Sequence, residues 1–548
     1  MIELRFLLEK VIKVELLGRS QTLKRFSIEE IFDALGKLKT ELNAKGKTYE
    51  ELYSAAFHQD IFALSLPREF GGKGLAESVS LLFLSEVASI NAKLGFELLQ
   101  SLATCKLLLH YNKEGALDPI IKGLIQGEIQ GVMDVVDPFS HVIANDHTLT
   151  AKNTPKGWQV TGEKVVFYTP SQIAKLFLVP AKMENGKVGL FAIDEGGVKI
   201  DTLFPNTYLS PVEIEIDKDS DATLVAELAG EDIFSISSMR KHINLLVYSV
   251  VEHSYATGIE EAKRAKIRPC WLEDGMTQEK VTMINHPKVA ESLMVMKSFR
   301  DGLRAMLFHS VFYLDCLQHG SEETADYFGE LNNLFELVFK YYAPRKAQHL
   351  KRIARNIMGP RYFRLEDQHL LFQIDIMASN PLDLATHLVF EAFKAADGKA
   401  VNTLLSEFGL MGAGKAKTDE LKEAINIWQD FVGGLFILNE EIQKTDKVEE
   451  AAQLLMHAER TIDLVGDVIV SHLLIKEALE AEKELQSMEV NFFALEQEAL
   501  NKMEVRVWYN KILTALFFTR SLLAVQGAKI QMIQEGSLVP GHVFLEDH

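Results

Sequence analysis

LPREFGGKGL, residues 66–75, packs a proline, a charged pair, an aromatic residue and three glycines into ten positions. Gly71, Gly72 and Gly74 permit backbone conformations closed to other residues, so the stretch reads as a shaped loop between two helices. Upstream, FSIEEIFDALGKLKTEL (26–42) starts with a capping box, Ser27 with Glu30, and sets Ile31, Phe32, Leu35, Leu38 and Leu42 on one helical face. Downstream, ESVSLLFLSEVASINAKLGFELLQSLATCKLLLHY (77–111) is helical and apolar nearly all round, as a helix at the centre of a domain must be.

Beyond about residue 131 the hydrophobic period changes. HTLTAKNTPKGWQVTGEKVVFY, AKLFLVPAKM, GKVGLFAID, GGVKIDTLF and SPVEIEID are short, β-branched segments broken by Gly, Pro, Asn and Asp. Such spacing requires hairpins, which predicts an antiparallel β-domain. Pro180 inside AKLFLVPAKM suggests an edge strand or a bulge. The helical period returns near residue 232, with SSMRKHINLLVYSVVEHSYATGIEEAKRAK and then HPKVAESLMVMKSFRDGLRAMLFHSVFYL. DFVGGLFIL marks a close-packing point in the last part. The expected organisation is an N-terminal helical domain (1–131), a β-domain (132–231), a C-terminal helical domain (232–395) and a further helical bundle (396–548).

The net charge of −19, from 77 acidic and 58 basic residues, argues against nucleic acid as the main partner. It leaves room for a local basic pocket that takes a phosphorylated small molecule. Cys105, Cys270 and Cys316 are too few and too scattered for a disulfide framework or a metal site, and fit a reducing compartment. The sixteen histidines form no H-E-x-x-H or Cys–His cluster, so no metal is expected. MIELRFLLEKVIKVELLGRS lacks the apolar core of a signal peptide. TIDLVGDVIVSHLLIKEALEAE carries Asp463, Asp467 and His472, which makes it a buried bundle helix and not a membrane span. The expected location is cytoplasmic.

The order of helical domain, small β-domain and helical domain, with LPREFGGKGL closing the early helices, resembles the acyl-CoA dehydrogenase family. GWQVTGEKVVFY (157–168) is similar to the family's T-G-x-K hairpin through Thr161, Gly162 and Lys164. MTQEKVTMINHPKVAESLMVMKSFRDGLRAMLF (276–308) resembles the return into the C-terminal helices of a long subgroup, whose extra bundle would account for residues 396–548. The resemblance implies a mostly α fold with an inserted antiparallel β-domain. It also implies FAD, acyl-CoA as substrate, and an oligomer, a dimer first of all. In such enzymes a glutamate removes the α-proton of the thioester while the β-hydride passes to the flavin, so base and polarised carbonyl must act together.

Carried over residue by residue, the pattern departs from the family. VVDPFSHV (135–142) matches the family's T-E-P at Asp137 and Pro138, but Val136 takes the hydroxyl position. Phe167, Tyr168 and Thr169 occupy the flavin-facing stretch after T-G-x-K. Arg240 fits an arginine near the coenzyme A portion. The arginine facing the flavin diphosphate falls on Ala265, with Arg264 or Arg268 as substitutes. IMGPRYF (357–363) stands for H-G-G-x-G, and MASN (377–380) for the E-G-T-N that carries the base. The base position is then Met377 or, one residue on, Ala378, neither of which is an acid. The weak substitutes are Glu252 and Asp375. A helix glutamate such as Glu252 is more often paired structurally than catalytic.

Two functions follow: a silent family member that serves as a binding or structural subunit beside a paralogous acyl-CoA dehydrogenase, or an active FAD-dependent dehydrogenase with a displaced base. A third class, a carrier of hydrophobic ligands, rests on the large apolar interior. GLMGAGKA (409–416) has phosphate-loop spacing, but a helical stretch precedes it and Ala416 takes the hydroxyl position, so it reads as an interhelical loop. Lys263, Arg264, Lys266 and Arg268 form a basic cluster read equally as helix-end cations or as a diphosphate contact. EALEAEKELQSMEV reads as a solvated helix face.

Overall fold

The computed structural model describes residues 28–42, 48–58, 61–133, 149–155, 157–168, 171–202, 210–216, 221–228, 241–267, 280–319, 321–364, 382–444 and 456–534. In it each glycine of the 66–75 loop answers a different constraint. Gly71 ends a short 3-10 turn at Arg68–Phe70 with φ +94°, and Gly74 has φ +63°. Gly72 has no room for a side chain, since a Cβ there would lie 2.1 Å from the Leu66 carbonyl oxygen. The loop folds back on its own entry arm: Lys73 N donates to Ala63 O at 2.9 Å and Leu75 N to Leu64 O at 2.8 Å.

Two compact units are formed, one from residues 1–250 and 363–379, the other from 251–362 and 380–548. The first unit opens with α1 (Ile28–Leu42) and α2 (Tyr49–His58), and Leu35, Leu38 and Leu42 of α1 are buried. The long apolar run is two helices, α3 (Glu77–Ile90) and α4 (Ala92–Tyr111). Asn91 breaks it, and its side chain accepts a hydrogen bond from Leu94 N at 3.0 Å, capping α4. Gly95 lets α4 lie against Ala88 of α3, where a Cβ would come within 2.4 Å. Then comes α5 (Asp118–Gln126), ended by Gly127 at φ +75°.

The strands are β1 (Ile129–Met133), β2 (Thr150–Thr154), β3 (Gly157–Tyr168), β4 (Ala174–Met183), β5 (Val188–Asp194), β6 (Val198–Thr202), β7 (Ser210–Ile216) and β8 (Asp221–Leu228). The pairings β2–β3, β3–β8, β8–β5, β5–β4 and β4–β2 close a ring around a core of Val160, Val179, Phe177, Phe191 and Ile193. Most pairs are antiparallel, as expected, but β1 and β2 both run parallel to β4. β3 serves two ladders, pairing with β2 as far as Thr161 and with β7 from Gly162 onward. Gly162 sits at the hand-over with φ +134°, a conformation that L side chains rarely adopt. The T-G-x-K motif therefore lies within the second strand of the β2–β3 hairpin.

Pro180 pairs with Leu190 of β5 on one side and, among the described residues, has no strand partner on the other, a local edge inside the sheet. β4 pairs with β1 over Ala174–Leu178 and with β2 at Lys182 and Met183, so Pro180 falls in the gap between two neighbours and its missing N–H costs no ladder bond on that side.

α6 (Lys241–Arg264) runs from the first unit into the second. The second unit continues with α7 (Pro287–His319), α8 (Glu322–Met358), α9 (Leu382–Val389), α10 (Lys399–Gly409), α11 (Asp419–Gln443), α12 (Ala458–Ser487), α13 (Leu495–Asn501), α14 (Met503–Phe517) and α15 (Gln526–Gln534). α12 is the buried centre of this bundle, and Asp467 and His472 lie inside it as expected. Glycines set the closest crossings. A Cβ on Gly466 would meet the Tyr342 ring at 2.3 Å, one on Gly302 would meet Val470 at 2.3 Å, and one on Gly434 of DFVGGLFIL would meet Ile530 at 2.9 Å. GLMGAGKA is the interhelical loop between α10 and α11. EALEAEKELQSMEV is not wholly a solvated face, because Glu482 is buried at its centre. Its carboxylate accepts from Lys417 N, Thr418 N and Thr418 Oγ1, closing the N-terminus of α11.

Candidate functional site

Val136, Thr169, Arg240, Arg268, Asp375, Met377 and Ala378 lie outside the described residues. Phe167 and Tyr168 end β3, in backbone register with Pro211 and Ser210 of β7. Arg264 and Glu252 are described in full, and both stand on α6 in the second unit.

Arg264 is the last residue of α6. Its guanidinium donates to Glu261 at 2.6 Å, and Arg361 donates to the other oxygen of the same carboxylate at 2.6 Å. Glu261 is nearly buried while both guanidiniums are more than half exposed. Arg361 belongs to IMGPRYF, which forms the end of α8 and a 3-10 turn at Gly359–Arg364. Gly359, at φ +58°, turns the chain there and carries Arg361 to α6. The result is two guanidiniums oriented by one buried carboxylate, with Lys263 and Lys266 exposed alongside. Four cations against Glu260 and Glu261 leave an excess of positive charge at the C-terminal end of a helix. Guanidiniums held in place are donors of the type that bind phosphate oxygens. Arg361 was not legible in the sequence, because the motif to which IMGPRYF corresponds is read for its glycines.

Glu252 lies 3.7 Å from Arg300 Nε. Arg300 stacks over the Tyr255 ring at 4.5 Å and donates to Asp301 through Nε and NH2, at 2.8 and 2.6 Å. Asp301 is fully buried and also accepts from Lys297, which in turn donates to Thr514 on α14. The Arg300 and Lys297 cations hold the Asp301 carboxyl well below the usual carboxylate range, although burial alone would raise it. Glu252 is thus one member of a charge network that joins α6, α7 and α14. One of its oxygens lies within ion-pair distance of a guanidinium whose hydrogen bonds go to Asp301.

In the first unit, burial collects charges that the sequence reading missed. Lys175 on β4 is 3% exposed, and its ammonium donates to Gln130 Oε1, Ser171 Oγ and the Ile173 carbonyl. Gln130 on β1 passes its amide to Glu97 on α4. Burial lowers the Lys175 pKa, and Glu97, Glu195 and Glu50 pull it back. Every donor of the ammonium is used, so the group ties α4, β1 and β4 together. The signal was present: a glutamate in an apolar helix and a lysine in an apolar strand each require a buried partner.

No family model matches the chain. Benzylmalonyl-CoA dehydrogenase of Aromatoleum aromaticum is 27% identical over 176 residues, which are 32% of this chain and 45% of that protein. The chain spans about half the length of the curated relatives it matches. An acyl-CoA dehydrogenase from Bacillus anthracis, solved with FAD, superposes with a TM-score of 0.65 at 15% identity, over 97% of each chain. ACDH-11 of Caenorhabditis elegans, solved with C11-CoA, gives 0.63 at 13% identity, over 93% of this chain and 90% of that one. The fold is that of the acyl-CoA dehydrogenases.

Proposed function

We propose that this acyl-CoA dehydrogenase-like protein is a catalytically silent member that holds an acyl-CoA without oxidising it. It would act as a binding or structural subunit, with a second copy of itself or with a paralogous acyl-CoA dehydrogenase. The observation that carries the reading is the engagement of Glu252 with Arg300. Removing an α-proton from a thioester requires a base whose lone pair faces the substrate. Glu252 is ion-paired with a cation, and the register of MASN would put Met377 or Ala378, whose side chains offer no basic group, at the base position.

Binding is the part retained. Arg264 and Arg361, set by Glu261, would hold the diphosphate of coenzyme A or of FAD. A bound flavin would supply a hydride acceptor. The fit is electrostatic and serves either ligand.

The test is a visible absorption spectrum of the purified chain with and without added FAD, then with an acyl-CoA, beside equilibrium dialysis of the acyl-CoA. The expected result is acyl-CoA binding, weakened about ten-fold or more by Arg361→Ala, with no bleaching of any flavin band. A flavin band that bleaches on adding acyl-CoA would sink the silent reading. It would install the second one, an active FAD-dependent dehydrogenase with a displaced base, which the likeness to benzylmalonyl-CoA dehydrogenase favours. Glu252→Gln and Asp375→Asn would then identify the base.

A further inference from the structure

A cavity of about 450 Å³ opens in the first unit beside the 66–75 loop. Helix α2 supplies one wall. Its residues 50, 53, 54, 57 and 58 recur at helical spacing and all face the opening. The wall is a ladder of rings: Tyr49 to Tyr53 at 6.0 Å, Tyr53 to Phe57 at 4.8 Å and Phe57 to Phe62 at 4.7 Å between centroids. Phe70 and Gly71 of the loop close a second side, and the C-terminal end of α5, at Ile125–Gly127, closes a third. Gly127 lies so close to the Phe57 ring that a Cβ would be 2.8 Å from it, so the α5 terminus is pressed against the aromatic wall.

The charge and partial charges in the lining itself are negative, and the Lys93 and Lys175 ammoniums are both in electrostatic contact with its Glu50. Glu50 places a carboxylate in the lining. The α5 C-terminus adds the partial negative charge of a helix end. Ring faces are negative as well, since an aromatic quadrupole presents electron density above and below its plane. His58 and Ser54 line the opening but are turned to each other, with Nδ1 of His58 3.1 Å from Ser54 Oγ and 2.8 Å from the Ser54 carbonyl. One cation already uses this ladder: the Lys93 ammonium sits 4.0 Å from the Tyr49 centroid, in electrostatic contact with Glu50.

We propose that this cavity is a binding site for a small organic cation, a quaternary or alkylated ammonium, seated on the Tyr53, Phe57 and Phe70 rings with Glu50 as its counter-charge. Apolar walls alone would take any alkyl group of the right size. The carboxylate, the helix C-terminus and the ring faces together select for positive charge, and a methylated ammonium suits them because it is weakly hydrated and has no directional donors. The site is independent of the diphosphate reading on α6.

The test compares choline with 3,3-dimethylbutan-1-ol, which has the same shape and no charge, by calorimetric titration of the full chain. Choline should bind saturably and about ten-fold or more tighter than the neutral isostere. Glu50→Gln should weaken choline several-fold and leave the isostere unchanged, while Phe70→Leu weakens choline alone. Equal affinity for the two probes overturns the proposal, because it makes the cavity a plain apolar pocket. Absence of saturable choline binding at millimolar concentration overturns it too. Both outcomes are read on the unsubstituted protein, so neither depends on a variant that folds.

Discussion

At the scale of single residues, the second unit keeps one imidazole in an unusual place. His472 lies between the Phe408 ring at 4.7 Å and the Trp428 ring at 5.2 Å, is 3% exposed, and neither ring nitrogen has a hydrogen-bond partner among the described residues. Burial, with Lys476 and His309 nearby, holds its pKa well below the usual 6.5. The folded state therefore keeps His472 neutral where the unfolded chain takes up a proton, and stability is lost as pH falls through 6.5 and below. His349 and His457 shift in the same direction, so they share the effect. Replacing His472 by Leu should make the fall of stability between pH 6.5 and 5 shallower by about 1.4 kcal/mol per pH unit, measured by urea unfolding at each pH. An unchanged slope would remove His472 from the account. Glu482 offers a second case, since Glu482→Ala leaves the Lys417 and Thr418 amides without their acceptor. It should cost roughly 1–3 kcal/mol, and Glu482→Gln, which keeps one of the two acceptor oxygens, should cost less.

At the scale of elements, the period of the hydrophobic pattern was enough to place most helices and strands, and what it could not give were pairings. Nothing in IQGVM says that β1 will run parallel to β4, because a strand's partner is chosen by the chain path and not by its own residues. The same holds for Pro180, whose residue type suggested an edge, while the local edge it occupies depends on where β1 stops and β2 starts. Gly162 shows the opposite. The motif was readable, but its physical role, turning one strand from β2 to β7, became visible only with both registers in hand. Gly162→Ala should destabilise the β-domain by about 1–3 kcal/mol, seen as a lower melting temperature, whereas Gly157→Ala, at φ +123° beside open space, tests strain without the hand-over.

At the scale of the molecule, the sequence order of helices, strands and helices was legible because each change of period is long and repeated. The candidate site was legible only in part. Arg264 could be placed, but its partner Arg361 lies about a hundred residues away, and a contact of that range is set by tertiary packing. The positions matched to the family's base fall outside the described residues, so the case for silence rests on Glu252 and its cation. Among the described residues no helix is long and apolar enough to cross a membrane. The proposed self-association can be weighed directly: sedimentation should give twice the chain mass of 61.6 kDa, and a mass of one chain would leave the paralogous subunit as the partner to seek.

Because β3 belongs to the closed ring through its first half and to the β6–β7 ladder through its second, the two ladders share a covalent strand. Local opening of either one must disturb the other. The amide hydrogens of Val160 and Val166, on opposite sides of Gly162, should then exchange with solvent deuterium through a single cooperative event, with a common dependence on denaturant. A strand handed from one ladder to the next thus makes two parts of a small β-domain behave as one unit in time as well as in space.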